Sequence, residues 1–98
     1  MFDYSQRHLD LISRFRMLYE PIEGEWNQES KWVVMALDHF EKHEMVRLVE
    51  AKLIEQGLTY EFGLALSHYR LTGRLLKDIP VLEEQGRIRF YSSAYKQA

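Results

Sequence analysis

The pair His39 and His43 is the part of this sequence that comes closest to a metal-binding motif. Residues four apart lie on one face of a helix, and this is the spacing of a two-histidine chelate. Glu44 follows His43, but position 47 is Arg47, so the His-Glu-x-x-His motif of zinc proteases is absent. Three other residues could supply a further ligand: His8, Glu61 and His68. Because His-x3-His arises easily in a chain with four histidines, we expect no metal site.

No residues with the spacing of a catalytic site stand out. Ser67 and His68 are neighbours in a segment predicted to be helical, so their side chains would diverge and could not act as nucleophile and base. The chain has no cysteine, which excludes disulfides and a cysteine nucleophile. Gly63 and Gly73 lie inside a helical pattern and not in a phosphate-binding loop. We therefore expect a protein without catalytic residues or cofactors.

A row of basic residues is the clearest candidate for binding. Arg70, Arg74 and Lys77 recur at intervals of four and three, and no acidic residue lies between positions 62 and 77. Arg87 and Arg89 follow in an alternating segment. A basic helix followed by a short helix and a β-like tail suggests a winged-helix DNA reader, so a nucleic-acid-binding regulator is the alternative function. The net charge of −2 and the lack of helix-turn-helix spacing favour a protein partner.

The first element that would position these residues is a helix over residues 4–20. Apolar residues recur there at helical spacing, Asp3 or Ser5 can cap it, and Pro21 would end it. An acidic connector, 20–29, follows and contains Trp26, which we interpret as an anchor of the loop or of an acidic docking surface.

Residues 27–57 predict a central helix, because the stretch contains no proline and no internal glycine. Asn27 or Ser30 can cap it, and Gly57 would end it. Without its caps, a straight helix over residues 28–56 would span about 43 Å, whereas a globule of this chain length is about 32 Å across. The helix is therefore expected either to bend near 41–44 or to reach a second chain.

A heptad-like seam on this helix predicts self-association, most simply as a homodimer. Its members are Trp32, Met35, His39, Val46, Val49 and Leu53.

A third helix is predicted over 60–77 with Thr59 as its cap, because apolar residues form two stripes at helical spacing. Asp78 and Pro80 then suggest the start of a short fourth helix that Gly86 ends. Residues 87–91 alternate as a strand would, and 92–98 read as a loose tail. The predicted fold is all-α: a small helical bundle of three main helices plus a short fourth, with an extended C-terminal segment.

Composition predicts a single domain over 1–98, because the chain is 46% hydrophobic and long enough for one core. The N-terminus lacks the pattern of a signal peptide, and no run of residues is apolar enough to span a membrane. The lack of cysteine favours a cytoplasmic location.

Together these patterns predict a small non-enzymatic interaction protein, such as an adaptor, inhibitor or regulator, that binds another protein through helical surfaces. The residues expected to contact the partner are Trp26, Trp32, Arg70, Arg74 and Lys77. The nucleic-acid alternative would use Arg70, Arg74, Lys77, Arg87 and Arg89.

Overall fold

A computed structural model describes residues 1–18 and 32–90 and shows an α+β arrangement in them. The elements, in chain order, are α1 (Gln6–Leu18), β1 (Val33–Val34), α2 (His39–Glu50), β2 (Ile54–Glu61), β3 (Leu64–Leu71) and α3 (Gly73–Glu84). The strands form an antiparallel sheet in the order β1-β3-β2. The prediction of an all-α bundle is therefore wrong.

The predicted central helix over 27–57 is wrong because its described part divides into β1, α2 and the first half of β2. The proposed caps Asn27 and Ser30 lie outside the described residues. The expected bend at 41–44 lies inside α2, and Gly57 lies within β2, where it pairs with His68 of β3.

A capping box determines where α2 begins. The Asp38 side chain accepts a hydrogen bond from the Glu41 backbone at 2.8 Å, and Glu41 accepts one from the Asp38 backbone at 3.0 Å. These reciprocal bonds satisfy two backbone donors that a helix start leaves free.

A left-handed lysine ends α2. Lys52 has a φ of 61°, its backbone N–H donates to Val49, and the next N–H, of Leu53, donates to Leu48. This is the Schellman pattern, in which the left-handed position is usually glycine. Because lysine occupies a position where glycine is usual, the sequence pattern did not indicate the end of the helix.

The predicted third helix over 60–77 is also wrong, because the chain turns back on itself at Phe62 and Gly63. Both residues have positive φ, 52° and 76°, as a two-residue type I′ hairpin turn requires. The predicted cap Thr59 lies in β2, opposite Leu66.

Helix α3 begins after Thr72, whose hydroxyl accepts a hydrogen bond from the Leu75 backbone. The helix passes through Asp78 and Pro80, so the prediction that these residues open a separate helix is wrong. The prediction that Gly86 ends the helix is confirmed: its φ is 74°, and it forms the same C-terminal pattern as Lys52.

The predicted first helix is present as α1, and polar contacts join it to α2. His8 is buried; its Nδ1 accepts a hydrogen bond from the Ser5 backbone, and its Nε2 lies 2.6 Å from Glu44 Oε2. Arg14 pairs with Glu41, the capping residue of α2. The predicted helix end at Pro21 lies outside the described residues.

The core lies between the helices and one face of the sheet, which we call the core face. Its largest fully buried side chains are Ile12, Phe15, Met45, Leu48, Leu53, Ile54, Leu75, Ile79, Leu82 and Phe90. Ile88 and Phe90 are buried while Arg87 and Arg89 are exposed. The predicted alternation of buried and exposed side chains is thus present over 87–90, but these four residues do not form a strand. The rest of the predicted C-terminal segment lies outside the described residues.

Among the described helices, none is long and apolar enough to cross a membrane.

Candidate protein-interaction surface

The β2–β3 hairpin changes from buried to exposed along its length. At its base, Ile54 pairs with Leu71 and both are buried. Four pairs further, Leu58 faces Ser67, and from Leu58 to the turn every residue of β2 is exposed. The outer half of the hairpin therefore projects beyond the core.

Large apolar side chains cover this projecting half. Leu58, Tyr60, Phe62 and Leu64 are exposed, and we call these four residues the hairpin tip. Tyr60 is 75% exposed and Phe62 is 100% exposed. Single exposed apolar residues are ordinary on a protein surface, but four at the end of one hairpin, with Leu58 and Tyr60 on one face and Leu64 on the other, form a candidate interaction site.

The turn holds Phe62 at a conformational cost. A left-handed backbone costs a non-glycine residue about 1–2 kcal/mol, and asparagine is common at this position of a type I′ turn. The Phe62 ring is fully exposed, so burial within the chain contributes no free energy that would offset this cost. A strained residue that presents its side chain to solvent is a candidate for a functional contact.

Along the outer edge of β2, backbone hydrogen-bonding groups point away from β3. In an antiparallel ladder, successive residues direct their N–H and C=O groups to opposite sides. A two-residue turn makes Glu61 and Leu64 a hydrogen-bonded pair, so Thr59, Gly57 and Glu55 also point towards β3. The bond from the Thr72 N–H to the Leu53 carbonyl fits the same alternation.

The remaining residues of β2 therefore point away from β3, on a side where no described strand lies. They are Ile54, Gln56, Leu58 and Tyr60. Ile54 is buried, so the accessible outward backbone groups are those of Gln56, Leu58 and Tyr60, which we call the β2 edge. Open strand edges readily pair with another strand.

A second cluster lies on the sheet face opposite the core, which we call the open face. The Arg70 guanidinium carbon lies 4.5 Å from the centre of the Trp32 ring, and its Nη2 lies 2.8 Å from Glu55 Oε2. The Trp32 ring reaches across β3 to β2, where it lies 3.4 Å from the position of a Cβ on Gly57. A larger residue at position 57 would meet this ring. Trp32 remains 44% exposed.

The structure brings together two of the predicted partner-binding residues, Trp32 and Arg70. Trp26 lies outside the described residues. Arg74 and Lys77 are on α3, and Arg74 donates to the Ala51 carbonyl at 3.1 Å. Since Arg70 is on β3, the predicted basic row does not form on one helix.

The C-terminal arginines of the nucleic-acid alternative lie after α3. Arg87 donates to the Tyr4 carbonyl at 2.6 Å, which ties this segment to the N-terminus, while Arg89 is exposed.

The predicted self-association seam does not form on one helix. Trp32 and Met35 flank β1, whereas His39, Val46 and Val49 are on α2. Leu53 is fully buried in the core after α2. The seam as a continuous helical stripe is therefore wrong, because the helix on which it depended is broken.

His39 and His43 lie on the exposed first turns of α2, with ring centres 4.7 Å apart. The other proposed ligands are engaged elsewhere: His8 contacts Glu44, and His68 contacts the Thr59 hydroxyl at 3.2 Å. Across residues 1–18 and 32–90, no group of three or more potential ligands is positioned to hold a metal.

A cleft of about 290 Å³ lies between α1 and α2. Its lining residues are Arg7, Asp10, Leu11, Arg14, Asp38, Phe40, Glu41 and Glu44. Several of its charged groups already have partners that join or cap the helices: Arg14 binds Glu41, and Asp38 caps α2. The cleft therefore looks structural.

Tyr4 is a buried titratable group at the other end of α1. Its hydroxyl donates to Asp78 Oδ2 at 2.7 Å. Burial raises the pKa of Tyr4 well above its usual value, and the hydrogen bond to Asp78 and the charge of that carboxylate raise this pKa further.

Sequence reasoning missed the hairpin tip. Leu58, Phe62 and Leu66 fit one helical stripe and Leu64 fits a second, because the projecting hairpin is apolar on both faces. The pair Phe62-Gly63 was the available signal for a turn, but Asn-Gly or Asp-Gly is the usual marker.

No protein-family model matches this chain, and neither the curated proteins nor the solved structures contain a significant match to it.

Proposed function

We propose that this chain is a small, non-enzymatic, cytoplasmic interaction protein that binds another protein through the β2–β3 hairpin. The complete exposure of Phe62 in a strained turn is the observation that carries the proposal. The surface differs from the helical surfaces that the sequence suggested. An adaptor, an inhibitor and a regulator would each use a contact of this kind.

The chemistry of the hairpin favours an apolar protein surface as its target. Burying a side chain such as leucine or phenylalanine contributes about 1.5–3 kcal/mol, and the hairpin tip offers four large apolar residues. Aromatic side chains are enriched in the centres of protein interfaces. Together these groups favour a contact with another protein.

The same hairpin is poorly suited to nucleic acid. No lysine or arginine occurs between residues 53 and 69, and Glu55 and Glu61 lie on β2. Binding to nucleic acid depends on neutralising phosphates with basic side chains. Of the five basic residues named for that function, only Arg70 lies in the hairpin, where it binds Glu55 and Trp32; Arg74, Lys77, Arg87 and Arg89 lie outside it.

A matched pair of variants tests the proposal. Phe62→Asn removes the exposed ring and places a residue that suits the turn, so the fold is retained. Phe40→Gln removes another exposed phenylalanine, from α2. A protein captured by the wild-type chain from its native cell is identified, purified and titrated with all three chains.

We expect Phe62→Asn to weaken this binding at least tenfold and Phe40→Gln to leave it within about twofold, since a tenfold change corresponds to about 1.4 kcal/mol. Equal affinity of the wild-type chain and Phe62→Asn would contradict the proposal. Titration of random duplex DNA at low and high salt tests the alternative, which requires binding that falls steeply with salt.

A further inference from the structure

We propose that His39 and His43 chelate an exchangeable divalent transition-metal ion, of the copper, nickel and zinc class, on the exposed side of α2. Each imidazole supplies one nitrogen, and water fills the remaining coordination positions. The site lies outside the hairpin, so it goes beyond the proposed function and does not depend on it. It reverses the expectation drawn from the His-x3-His spacing, because the structure supplies the ring geometry and surroundings that spacing alone does not.

The two imidazole rings are as close together as a shared ion requires. Their centres lie 4.7 Å apart, and their planes are perpendicular. An imidazole nitrogen binds zinc at about 2.0–2.1 Å, which places each ring centre roughly 3.2 Å from the ion. Two rings at adjacent positions of a tetrahedral or square site then have centres roughly 4.5–5.2 Å apart. The observed distance lies within this range.

The backbone that carries the two rings is fixed before any ion binds. His39 is the first residue of α2, and the capping box of Asp38 and Glu41 holds this first turn in place. His43 lies one turn later on the same face of the helix. Binding therefore requires little ordering of the backbone, and the ion clamps the first turn of α2 to the second.

The surroundings of the four histidines differ. His39 and His43 are exposed, and in the part of the chain that the structure describes no hydrogen bond or ion pair engages either ring. His8 is buried against a carboxylate of α2, and His68 contacts a hydroxyl on β2. A metal ligand needs a nitrogen lone pair that is accessible and unengaged, so the α2 pair is the one available for a chelate.

Local charge favours a cation at this place. Residues 38–44 contain three carboxylates and one lysine, which offsets the positive end of the helix dipole beside His39. Two of these carboxylates, Asp38 and Glu41, are engaged in the capping box. The described residues thus provide two ligands and no group of three. Because a structural zinc site has four protein ligands, binding by two is weaker and the ion exchanges.

The ligand type determines which ions fit the site. Imidazole suits copper, nickel and zinc, whereas magnesium and calcium take oxygen ligands. At a given nitrogen site, affinity rises from nickel to copper and falls again at zinc. We therefore expect Cu²⁺ to bind most tightly, Ni²⁺ and Zn²⁺ to bind more weakly, and Mg²⁺ not to bind.

Zinc titration of the full-length chain, purified without a histidine tag, is the first test. Calorimetry should give one Zn²⁺ per chain, and the melting temperature should rise with added Zn²⁺ because the ion binds the folded helix. A chelator should reverse this rise.

His43→Gln removes one exposed ligand and should weaken Zn²⁺ binding at least tenfold, since even the loss of a group that orients a ligand costs about 10–100-fold. His68→Gln is the matched control, because it removes a histidine from β3, and it should bind Zn²⁺ as the wild type does.

Imidazole resonances in NMR spectra locate the ion. The ring signals of His39 and His43 should shift together as Zn²⁺ is added, while those of His8 and His68 keep their positions. Cu²⁺ is paramagnetic and should broaden the signals of the same two rings first. Mg²⁺ should leave all four histidines unchanged.

Equal Zn²⁺ affinity of the wild-type chain and His43→Gln overturns the chelate. A response of one ring alone, or of all four rings alike, also overturns it, because either result describes binding to single histidines. Half an ion per chain, with a doubled mass, shows that two chains share the ion and overturns the site completed by water. The hairpin takes no part in these measurements, so the proposed function stands or fails separately.

Discussion

Arg70 binds Trp32 and Glu55 at the same time: its guanidinium carbon lies 4.5 Å from the centre of the Trp32 ring, and its Nη2 lies 2.8 Å from Glu55 Oε2. Trp32 precedes β1, Arg70 is in β3 and Glu55 is in β2. One side chain therefore links all three strands across the open face. Because β1 has only two residues, this contact adds to the few backbone bonds that hold it.

Arg70→Ala should lower the free energy of unfolding by about 1 kcal/mol, because an exposed cation–π contact contributes about 0.5–1 kcal/mol and an exposed ion pair contributes about 0–1 kcal/mol. Urea denaturation measures this change. Trp32 fluorescence, recorded in a Trp26→Phe background, should shift to longer wavelength because the ring becomes more exposed to water without the Arg70 side chain. Glu55→Gln, which removes only the ion pair, should leave the fluorescence nearly unchanged; an equal shift in both variants would contradict the assigned contact.

Phe62→Asn should raise the free energy of unfolding by about 1 kcal/mol, because asparagine adopts the left-handed backbone more easily than phenylalanine does. Urea denaturation of the monomer at low concentration measures the change. Phe62→Ala is the control, since it removes the ring and keeps the backbone penalty. Stabilisation of the same size in both variants would show that the turn is not the source.

Lys52→Gly should also stabilise the fold by about 1 kcal/mol, because glycine carries no penalty at the left-handed end of a helix. Ala51→Gly, one residue earlier at a φ of −77°, should instead destabilise it by roughly 0.5–1 kcal/mol. Thermal melts of the three chains make the comparison. Destabilisation by both glycines would contradict the described end of α2.

Tyr4→Phe should destabilise the protein by about 1 kcal/mol at neutral pH, because Asp78 loses a buried hydrogen-bond donor. The pKa of Tyr4 is raised in the folded state, so its contribution is fully present below the unfolded pKa of about 10 and declines as pH rises above that value.

The difference between the wild type and Tyr4→Phe should therefore shrink between about pH 10 and pH 12. Unfolding free energies of both proteins from pH 7 to pH 12 measure it, and the comparison cancels the titration of groups that the two proteins share. A difference that grows with pH would have the wrong sign for a buried, protonated tyrosine.

Local signals in the sequence were sufficient for some elements. The apolar spacing of α1 predicted a helix that the structure contains over Gln6–Leu18. Gly86 marked the end of α3, because glycine adopts the left-handed backbone without a Cβ penalty. In both cases the determining interactions lie within a few residues along the chain.

Tertiary structure decided the remainder of the fold and the candidate site. Lys52 and Phe62 have left-handed backbone conformations that their residue types disfavour. The sequence pattern therefore indicated neither the end of α2 at Lys52 nor the hairpin turn at Phe62. Pairing between β2 and β3, and packing of Leu48, Leu53 and Ile54 in the core, oppose those local costs. Residues 27–57 had the composition of one long helix, but the sheet and the core that divide it depend on residues far away in the chain. The exposed hairpin tip is a consequence of that division, because its apolar residues become a surface only where the strands extend beyond the helices.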